Sequence, residues 1–407
     1  MTPTADATRG SERIVWVLIS AFLCLCLFAL VTPIGAVGGS AQSADDPTLN
    51  TEIDRSQQSA EGASNGQADS AQRFTISASG DILIHQRVAE AATTPAGFAF
   101  ENLFTPISSV IQNADLAICH LEVPLSATDQ DLAYGGSADG GAFRSPMQLA
   151  DALVTTGFDS CSVASNHSYD SGESSVLSTV DQLQRVGLSH VGIASGAEQA
   201  ERLWQFPIGD TVVGHLSYTY GLNGRDNADV PAHHVARIDE ATILADAARQ
   251  RAAGSTFVVV SIHWGDEFTT TLNQQQQNLG PRLIASNDID LIIGHHAHVP
   301  QQIDTFDGGV VAYGLGNLLS NQSSSAPECP TLCPLESQDG ALVDFVVERA
   351  TDGTTAIVDT IVHPTWVDVG TTWQVLLADS APPAGTGADV STLQASANRT
   401  RETLGIS

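Results

Sequence analysis

The chain has 407 residues, of which 42% are hydrophobic, so it can form one large domain or two ordinary ones with a sizeable core. Its 46 acidic residues outnumber 16 basic residues, all of them arginine, and the formal net charge is −30. Because neutralising phosphates requires basic surface, this balance argues against a nucleic-acid partner and against broad electrostatic binding to an anionic membrane or polyanion.

The N-terminal region contains an apolar run at 14–31 without a charged residue, preceded by two arginines. The run is long enough to cross a bilayer, and the arginines predict that residues 1–13 are cytoplasmic. Small residues at 35–42 leave a cleaved signal peptide as the alternative. We therefore predict a transmembrane anchor or signal segment at 14–37. The expected location is a single-pass protein of the cell membrane with an extracytoplasmic domain, or a secreted protein after cleavage.

The next segments differ sharply in composition. Residues 40–72 are rich in Ser, Ala, Gln, Asp and Gly, which predicts a disordered linker, and residues 371–407 are interpreted as a low-complexity tail. The domain is expected at 73–370. Its strand-like runs lie at 74–84, 115–119, 158–164, 189–193, 211–219, 256–262, 290–293, 309–313 and 341–348. Helix-like runs that end in glycine lie at 145–157, 171–187 and 239–254. This alternation predicts an α/β fold with a partly parallel sheet.

Four cysteines lie outside the N-terminal apolar run. Cys329 and Cys333 lie close together in a Pro/Ser-rich segment, which predicts a local disulfide, with half of a zinc site as the alternative. Cys119 and Cys161 each belong to an apolar strand-like run. The sequence leaves open whether these two are reduced or paired.

Polar side chains cluster where five of the strand-like runs end. They are Asp81 and His85; His120 and Glu122; Asn166, His167 and Asp170; His263, Asp266 and Glu267; and His295, His296 and His298. Each alone is typical of a turn, a helix cap or a buried polar pair, but ligands collect at the carboxyl ends of parallel strands. The mixture of carboxylate, carboxamide and imidazole suits Mn, Fe or Zn better than Ca or Mg. Two such ions about 4 Å apart could clamp a phosphoester for attack by water.

The motifs also resemble a known family. The order "SGDILIH", "ADLAICHLEVPL", "FRSP", "ASNHSYDSG", "IHWGDEF", "IIGHHAHVPQQID" and "YGLGNLL" is similar to that of the CapA family, the poly-γ-glutamate capsule biosynthesis proteins. The resemblance runs from about residue 74 to about residue 348. That family is similar in turn to calcineurin-like metallophosphoesterases. The resemblance implies a four-layer αββα sandwich of the metallophosphatase type, with two divalent transition metals at the strand ends.

The resemblance also implies roles for individual residues. The implied metal ligands are Asp81, Glu122, Asn166, His263, His296 and His298. His167 would be the catalytic general acid, and Arg144 would bind a phosphate or carboxylate oxygen of the substrate, an ordinary surface ion pair being its alternative. Additional ligands, or residues that orient ligands, would be His85, His120, His295, Asp170 and Glu267.

Three departures from the family pattern bear on the second metal. The phosphoesterases have a histidine two residues after this aspartate, in an Asp-x-His pattern. Here the residue after Asp81 is Ile82, and His85 lies four residues after Asp81. The usual "NLE" is "HLE", with His120 in place of Asn, and the usual "NNH" is "SNH", with Ser165 in place of the first Asn. With these changes, binding of one metal ion is still expected, and binding of a second ion is left open.

Three functions are compatible with the sequence. The first is a membrane-anchored, metal-dependent hydrolase or transferase that acts on an envelope polymer or phosphoester in capsule biosynthesis. The second is a non-catalytic assembly or export component of a capsule or polyglutamate synthetase complex. The third is an extracellular α/β binding module. Because the acidic surface repels polyglutamate on average, Arg144 or bound cations would have to hold such a polymer.

Overall fold

The computed structural model describes residues 71–136, 141–225, 229–324 and 333–406. The predicted anchor or signal segment at 14–37, its cytoplasmic flank at 1–13 and nearly all of the linker at 40–72 lie outside these residues. Among the residues that the structure does describe, no helix is both long enough and apolar enough to cross a membrane.

Most strands of the described residues belong to two large sheets. In chain order the strands are β1 (Gln72–Ile82), β2 (Thr93–Thr94), β3 (Gly97–Phe98), β4 (Leu116–Leu121), β5 (Ala133–Tyr134), β6 (Phe143–Arg144), β7 (Ser160–Ser162), β8 (Ser189–Val191), β9 (Gln205–Ile208), β10 (Thr211–Thr219), β11 (Phe257–His263), β12 (Leu291–His295), β13 (Pro300–Phe306), β14 (Gly309–Leu315), β15 (Asn317–Leu319), β16 (Asp339–Arg349), β17 (Thr355–Val367) and β18 (Val375–Leu377). The α-helices are α1 (Gln86–Ala92), α2 (Glu101–Phe104), α3 (Ser108–Gln112), α4 (Gln148–Thr156), α5 (Glu173–Arg185), α6 (Ala197–Ala200), α7 (Glu240–Ala252), α8 (Gln274–Ile284) and α9 (Val390–Leu404).

Both large sheets contain parallel and antiparallel strand pairs. The first has the order β18-β17-β16-β1-β4-β7-β8, and β15 pairs with the end of β1. Its half from β1 to β8 is parallel, whereas β16, β17 and β18 run antiparallel. The second sheet has the order β13-β14-β12-β11-β10-β9, with a parallel centre of β10, β11, β12 and β14. The predicted α/β class with partly parallel sheets is confirmed.

Alternation along the strands builds four layers. On β4, Ile118 points between the sheets and packs with residues such as Val259 of β11, while Cys119 faces the helices α1 to α5. On β11, Val258 and Val260 face α7 and α8 on the other outer surface. Because successive strand residues point to opposite faces, each sheet buries one face against its partner sheet and the other against helices. The expected αββα sandwich is confirmed.

The prediction of a tail at 371–407 is wrong. Strand β18 completes an edge of the first sheet, and α9 packs Leu393 and Ala397 against Trp366 and Leu376. Arg399 of this helix donates two hydrogen bonds of 2.8 and 2.9 Å to the buried carboxylate of Asp339. The segment is rich in small residues, yet its buried positions follow the helical period, and small side chains allow the helix to approach the sheet closely.

The structure settles one open question about the cysteines. Cys119 of β4 and Cys161 of β7 are joined by a disulfide and lie directly opposite each other in the strand register. Cys333 is also disulfide-bonded, which argues against a zinc ligand there. Cys329, its predicted partner, lies outside the described residues.

Candidate metal centre

Polar side chains from both sheets meet at one end of the sandwich. Asp81 lies at the end of β1, and Glu122 directly follows β4. His263 and His295 end the neighbouring strands β11 and β12 of the other sheet, where they are paired in register. All four residues are at most 2% exposed. The parallel strand ends therefore bring together side chains that are far apart in the sequence, as expected for this kind of sheet.

Two glycines allow this convergence. A Cβ atom on Gly80 would lie 2.2 Å from the carbonyl oxygen of Gly316, and one on Gly294 would lie 1.8 Å from that of Tyr313. No side chain fits at either position, so the glycines of "SGD" and "IIGHH" let neighbouring backbones touch immediately before the polar residues. Asp81 and His295 are placed by these close approaches.

The loop after β12 holds two histidines in an unusual backbone conformation. His296 has φ 91° and His298 has φ 56°, in the left-handed region that costs a non-glycine residue about 1–3 kcal/mol. The loop is held by hydrogen bonds from the His296 N–H to Asp81 Oδ2, at 2.9 Å, and from the Phe268 N–H to the Ala297 carbonyl, at 2.7 Å. Such strain is typical of sites where the surrounding fold fixes side-chain directions for function.

Glu122 is the clearest sign that a cation belongs here. The residue is 1% exposed, and neither carboxylate oxygen forms a hydrogen bond with any described residue. The Nε2 atoms of His263 and His298 lie 3.8 and 3.7 Å from its Oε1 atom. Burial raises the pKa of Glu122 well above its ordinary value. A buried carboxylate without donors is costly, and a metal ion would satisfy it.

The other donor atoms fit the same interpretation. Buried Nε2 of His295 and Nδ1 of His296 also form no hydrogen bond within the described chain. Three sets of candidate ligand atoms each lie within 4.8 Å of one another: Asp81, His120 and His295; His120, Glu122 and His263; and Glu122, His296 and His298. Nitrogen and carboxylate donors in this number suit a divalent transition metal.

The pKa values of Asp81 and His298 are shifted in opposite directions. Burial raises the pKa of Asp81, but hydrogen bonds from His295 (Nδ1 to Oδ1, 2.9 Å) and from His298 outweigh burial and hold that pKa well below its usual range. Burial lowers the pKa of His298, but the nearby Glu122 and Asp81 carboxylates outweigh it and raise that pKa to about 9. In the absence of a metal, the proton on His298 supplies the positive charge of the site.

The amide of Asn166 is oriented by a residue that the sequence did not reveal. Its Nδ2 donates to Oδ1 of Asn223, at 3.2 Å, while its Oδ1 lies 2.9 Å from Nε2 of His263. The oxygen of the amide therefore faces the centre, as a metal ligand requires. Asn223 lies in the loop after β10 and adopts φ 50°, a conformation that asparagine tolerates better than most residues. A single sequence gives no signal that this loop reaches the site.

The predicted general acid lies at the edge of the centre. His167 Nδ1 is 2.8 Å from Oδ2 of Asp170, and the His167 side chain is 14% exposed. Asp170 also accepts the backbone N–H of Phe143, at 2.7 Å, and the Phe143 ring contacts His167 edge-on at 4.7 Å between centroids. Asp170 and Phe143 thus fix the orientation of this imidazole.

The remaining predicted residues lie around this centre. His85 accepts the N–H of Asn321, at 3.2 Å, contacts Phe143 edge-on and belongs to none of the three ligand sets. Glu267 is exposed and acts on Glu122 and His298 through its charge, without a hydrogen bond to an imidazole among the described residues. Its expected role in orienting a histidine has no support in these contacts.

Two further side chains border the site. Arg144 follows Phe143 on β6; its Nε atom is buried without a hydrogen bond, and it forms no ion pair with any described residue, so the surface ion-pair alternative has no support. Tyr220, which the sequence analysis missed, is 44% exposed and lies parallel to the His263 ring and 4.7 Å from the His296 ring. An exposed aromatic ring beside candidate ligands is suited to contact a substrate.

The fold and the centre together define a class of protein: an α/β sandwich with a buried cluster of Asp, Glu, Asn and His side chains at its strand ends that could hold a metal ion. The chain belongs to the family described as bacterial capsule synthesis protein PGA_cap, whose model matches residues 75–322. The predicted resemblance to this family is confirmed.

Individual proteins show the same relationship. The chain is 22% identical to the capsule biosynthesis protein CapA of Bacillus anthracis over 293 residues, 71% of this chain and 67% of the relative. It is 24% identical to the PGA biosynthesis protein CapA of Bacillus subtilis (strain 168) over 295 residues, 70% of each. The calcineurin-like phosphoesterase YfkN of Bacillus subtilis is a structural neighbour at 13% identity and a TM-score of 0.42, covering 82% of this chain and 98% of YfkN.

Proposed function

We propose that this protein is a metal-dependent hydrolase or transferase that acts on an envelope polymer or phosphoester during capsule or poly-γ-glutamate biosynthesis. The observation that carries the proposal is the buried Glu122 carboxylate, which accepts no hydrogen bond from the part of the chain that the structure describes, yet lies among imidazole, carboxylate and amide ligands. A purely structural polar cluster would satisfy its own hydrogen bonds.

The ligand set defines what a bound metal would do. Its members are Asp81, Glu122, Asn166, His263, His296 and His298. Held by these residues, divalent Mn, Fe or Zn would supply Lewis-acid charge to the reacting group of the substrate. Glu122 belongs to two of the candidate ligand sets, one with His120 and His263 and one with His296 and His298, and a bound ion would satisfy its carboxylate oxygens.

The chain's own residues supply proton transfer and positioning. His167 donates Nδ1–H to Asp170, which leaves its Nε2 atom for a leaving oxygen. The Nε–H of Arg144, which has no hydrogen-bond partner among the described residues, would donate to a phosphate or carboxylate oxygen, and Tyr220 offers an exposed face beside the ligands. These groups favour an anionic substrate that carries its reactive bond close to a charged oxygen.

The location proposed for this activity is outside the cytoplasm, with the cell membrane and a capsule synthetase complex as partners. The apolar run at 14–31 supports an anchor, and the Cys119–Cys161 disulfide supports an oxidising compartment. The domain would then meet the polymer where it leaves the cell.

The experiment is a substrate screen on the full chain. Chelator-treated protein is reloaded with Mn²⁺, Fe²⁺ or Zn²⁺ and assayed on phosphomonoesters, phosphodiesters and poly-γ-glutamate, beside His296→Ala/His298→Ala and His233→Ala variants. We expect metal-dependent turnover by the wild-type protein and by the His233 control, whose residue lies outside the centre, and none by the double variant. Bound metal without turnover on any substrate would favour the non-catalytic assembly component instead.

A further inference from the structure

His120 takes part in two of the three candidate ligand sets, yet both of its ring nitrogens already have partners. Nδ1 lies 2.8 Å from Oγ of Ser162, and Nε2 lies 3.0 Å from Nδ1 of His263. Ser162 Oγ in turn lies 3.3 Å from the carbonyl oxygen of Cys119. The His120 ring is fully buried and stacks on His295 at 3.9 Å between centroids, with an angle of 11° between planes.

The order of protons in this chain of hydrogen bonds follows from its ends. When Nε2 of His263 is a metal ligand, the neutral ring carries its proton on Nδ1 and needs an acceptor for it. His120 Nε2 is that acceptor, so the neutral His120 ring carries its proton on Nδ1 and donates to Ser162. Ser162 then donates to the Cys119 carbonyl, which can only accept. Each N–H or O–H donor in this chain of hydrogen bonds then has an acceptor.

In the metal-free protein, the protons of these hydrogen bonds take the reverse order. His263 Nε2–H then donates to Oδ1 of Asn166, at 2.9 Å, while His263 Nδ1 accepts from Nε2–H of His120, and His120 Nδ1 accepts from Ser162. Each ring stays neutral in both orders and keeps one proton. The chain can therefore follow the occupancy of the centre without leaving a buried group unsatisfied.

We infer that His120 is a positioning residue and not a metal ligand: it accepts the Nδ1 proton of His263 and so presents the Nε2 lone pair of His263 to the metal. The inference rests on the proposed metal centre but not on catalysis. It assigns Ser162 and the Cys119 carbonyl as the terminus of the same chain. Partners of this kind typically change metal affinity 10- to 100-fold when removed.

Two substitutions separate this role from packing. A glutamine amide oxygen can reach the place of His120 Nε2 and accept from His263, whereas an asparagine amide reaches only the place of Nδ1, next to Ser162. We expect Zn²⁺ affinity of the full chain, measured by competition with a chromophoric chelator, to stay within about threefold for His120→Gln and to fall about 10- to 100-fold for His120→Asn. His233→Gln, outside the centre, is the matched control.

The tautomers supply a second readout. In ¹⁵N-histidine-labelled wild-type protein, we expect Zn²⁺ to move the proton of His120 from Nε2 to Nδ1 without producing the nitrogen shift of a ligated imidazole. If an Asn variant does not fold, Ser162→Ala tests the same chain: it removes the acceptor of the His120 Nδ1–H, so a folded Ser162→Ala protein should bind Zn²⁺ more weakly than the wild type. A metal-ligated His120 nitrogen, equal affinity losses in the Gln and Asn variants, or an unchanged Zn²⁺ affinity in Ser162→Ala would each overturn the inference. A wild-type protein that binds no Zn²⁺ would instead refute the metal centre itself, and this inference with it.

Discussion

The disulfide between β4 and β7 gives a stability prediction that can be worked from the structure. Cys119 and Cys161 are 42 residues apart and fully buried. Closing a loop of that size removes about 13 cal/mol/K of entropy from the unfolded chain, or about 4 kcal/mol at 25 °C. We expect the Cys119→Ala/Cys161→Ala variant to lose about 3–5 kcal/mol of unfolding free energy.

The assay is urea unfolding of metal-free full-length protein, followed by tryptophan fluorescence. Reduction of the wild type also opens the bond at Cys333, so the double variant is compared with itself before and after reduction to isolate that second contribution. The variant should also bind metal more weakly, because Cys119 and Cys161 directly precede His120 and Ser162. A stability loss below about 1 kcal/mol would refute the loop-closure reasoning.

Three further predictions concern charge and catalysis. His298 has a folded-state pKa of about 9, raised above its unfolded value, so its protonation contributes about 3 kcal/mol to the free energy of unfolding of metal-free protein. This contribution is complete below about pH 6.5 and is lost as the pH rises through 9. The urea midpoint should therefore be lower at about pH 9.5 than at about pH 6, and an unchanged midpoint would contradict the charge assigned to His298. His167→Asn should lower kcat about 10²- to 10⁴-fold while elemental analysis finds its metal content unchanged, and loss of metal would instead make His167 a ligand. Arg399→Met should cost about 2 kcal/mol because it leaves the buried Asp339 carboxylate without its charged partner, with only the Ser396 hydroxyl still donating to it. Arg401→Met, at a more exposed pair on the same helix, should cost less than about 0.5 kcal/mol, and equal losses would contradict the difference in burial.

The sequence could predict the components of the centre because parallel strands end at one edge. Asp81, Glu122, Asn166 and His263 each follow an apolar run, and nine predicted strands correspond to observed ones. The helix expected at 145–157 begins only at Gln148, but it ends as its glycine predicts, with Gly157 at φ 116°. Periodicity and turn residues are local properties of the sequence, so the strands and helix ends that they predict are also found in the folded structure.

Other features depend on contacts that no local pattern records. Asn223 orients Asn166 from a loop 57 residues away, and the role of His120 follows only once its two partners are known. The helix α9 is hidden by its small residues, because Ser, Thr and Ala at buried positions resemble low complexity in the sequence. Sequence composition reports hydrophobicity, whereas close packing against a sheet is decided by size.

Because the proposed ligands come from both sheets, a bound metal would cross-link the sheets, and the concentration of free metal would set how much that cross-link stabilises the fold. Asp81 and Glu122 belong to one layer of the sandwich, while His263 and His296 belong to the other. At a free metal concentration 100 times the dissociation constant, such a cross-link adds about 2.7 kcal/mol to the folded state. With the proposed metal bound, a protein of this design would become looser at one end, and more easily digested there, when its surroundings are depleted of metal. Its lifetime would then follow the metal content of the medium even where its activity does not.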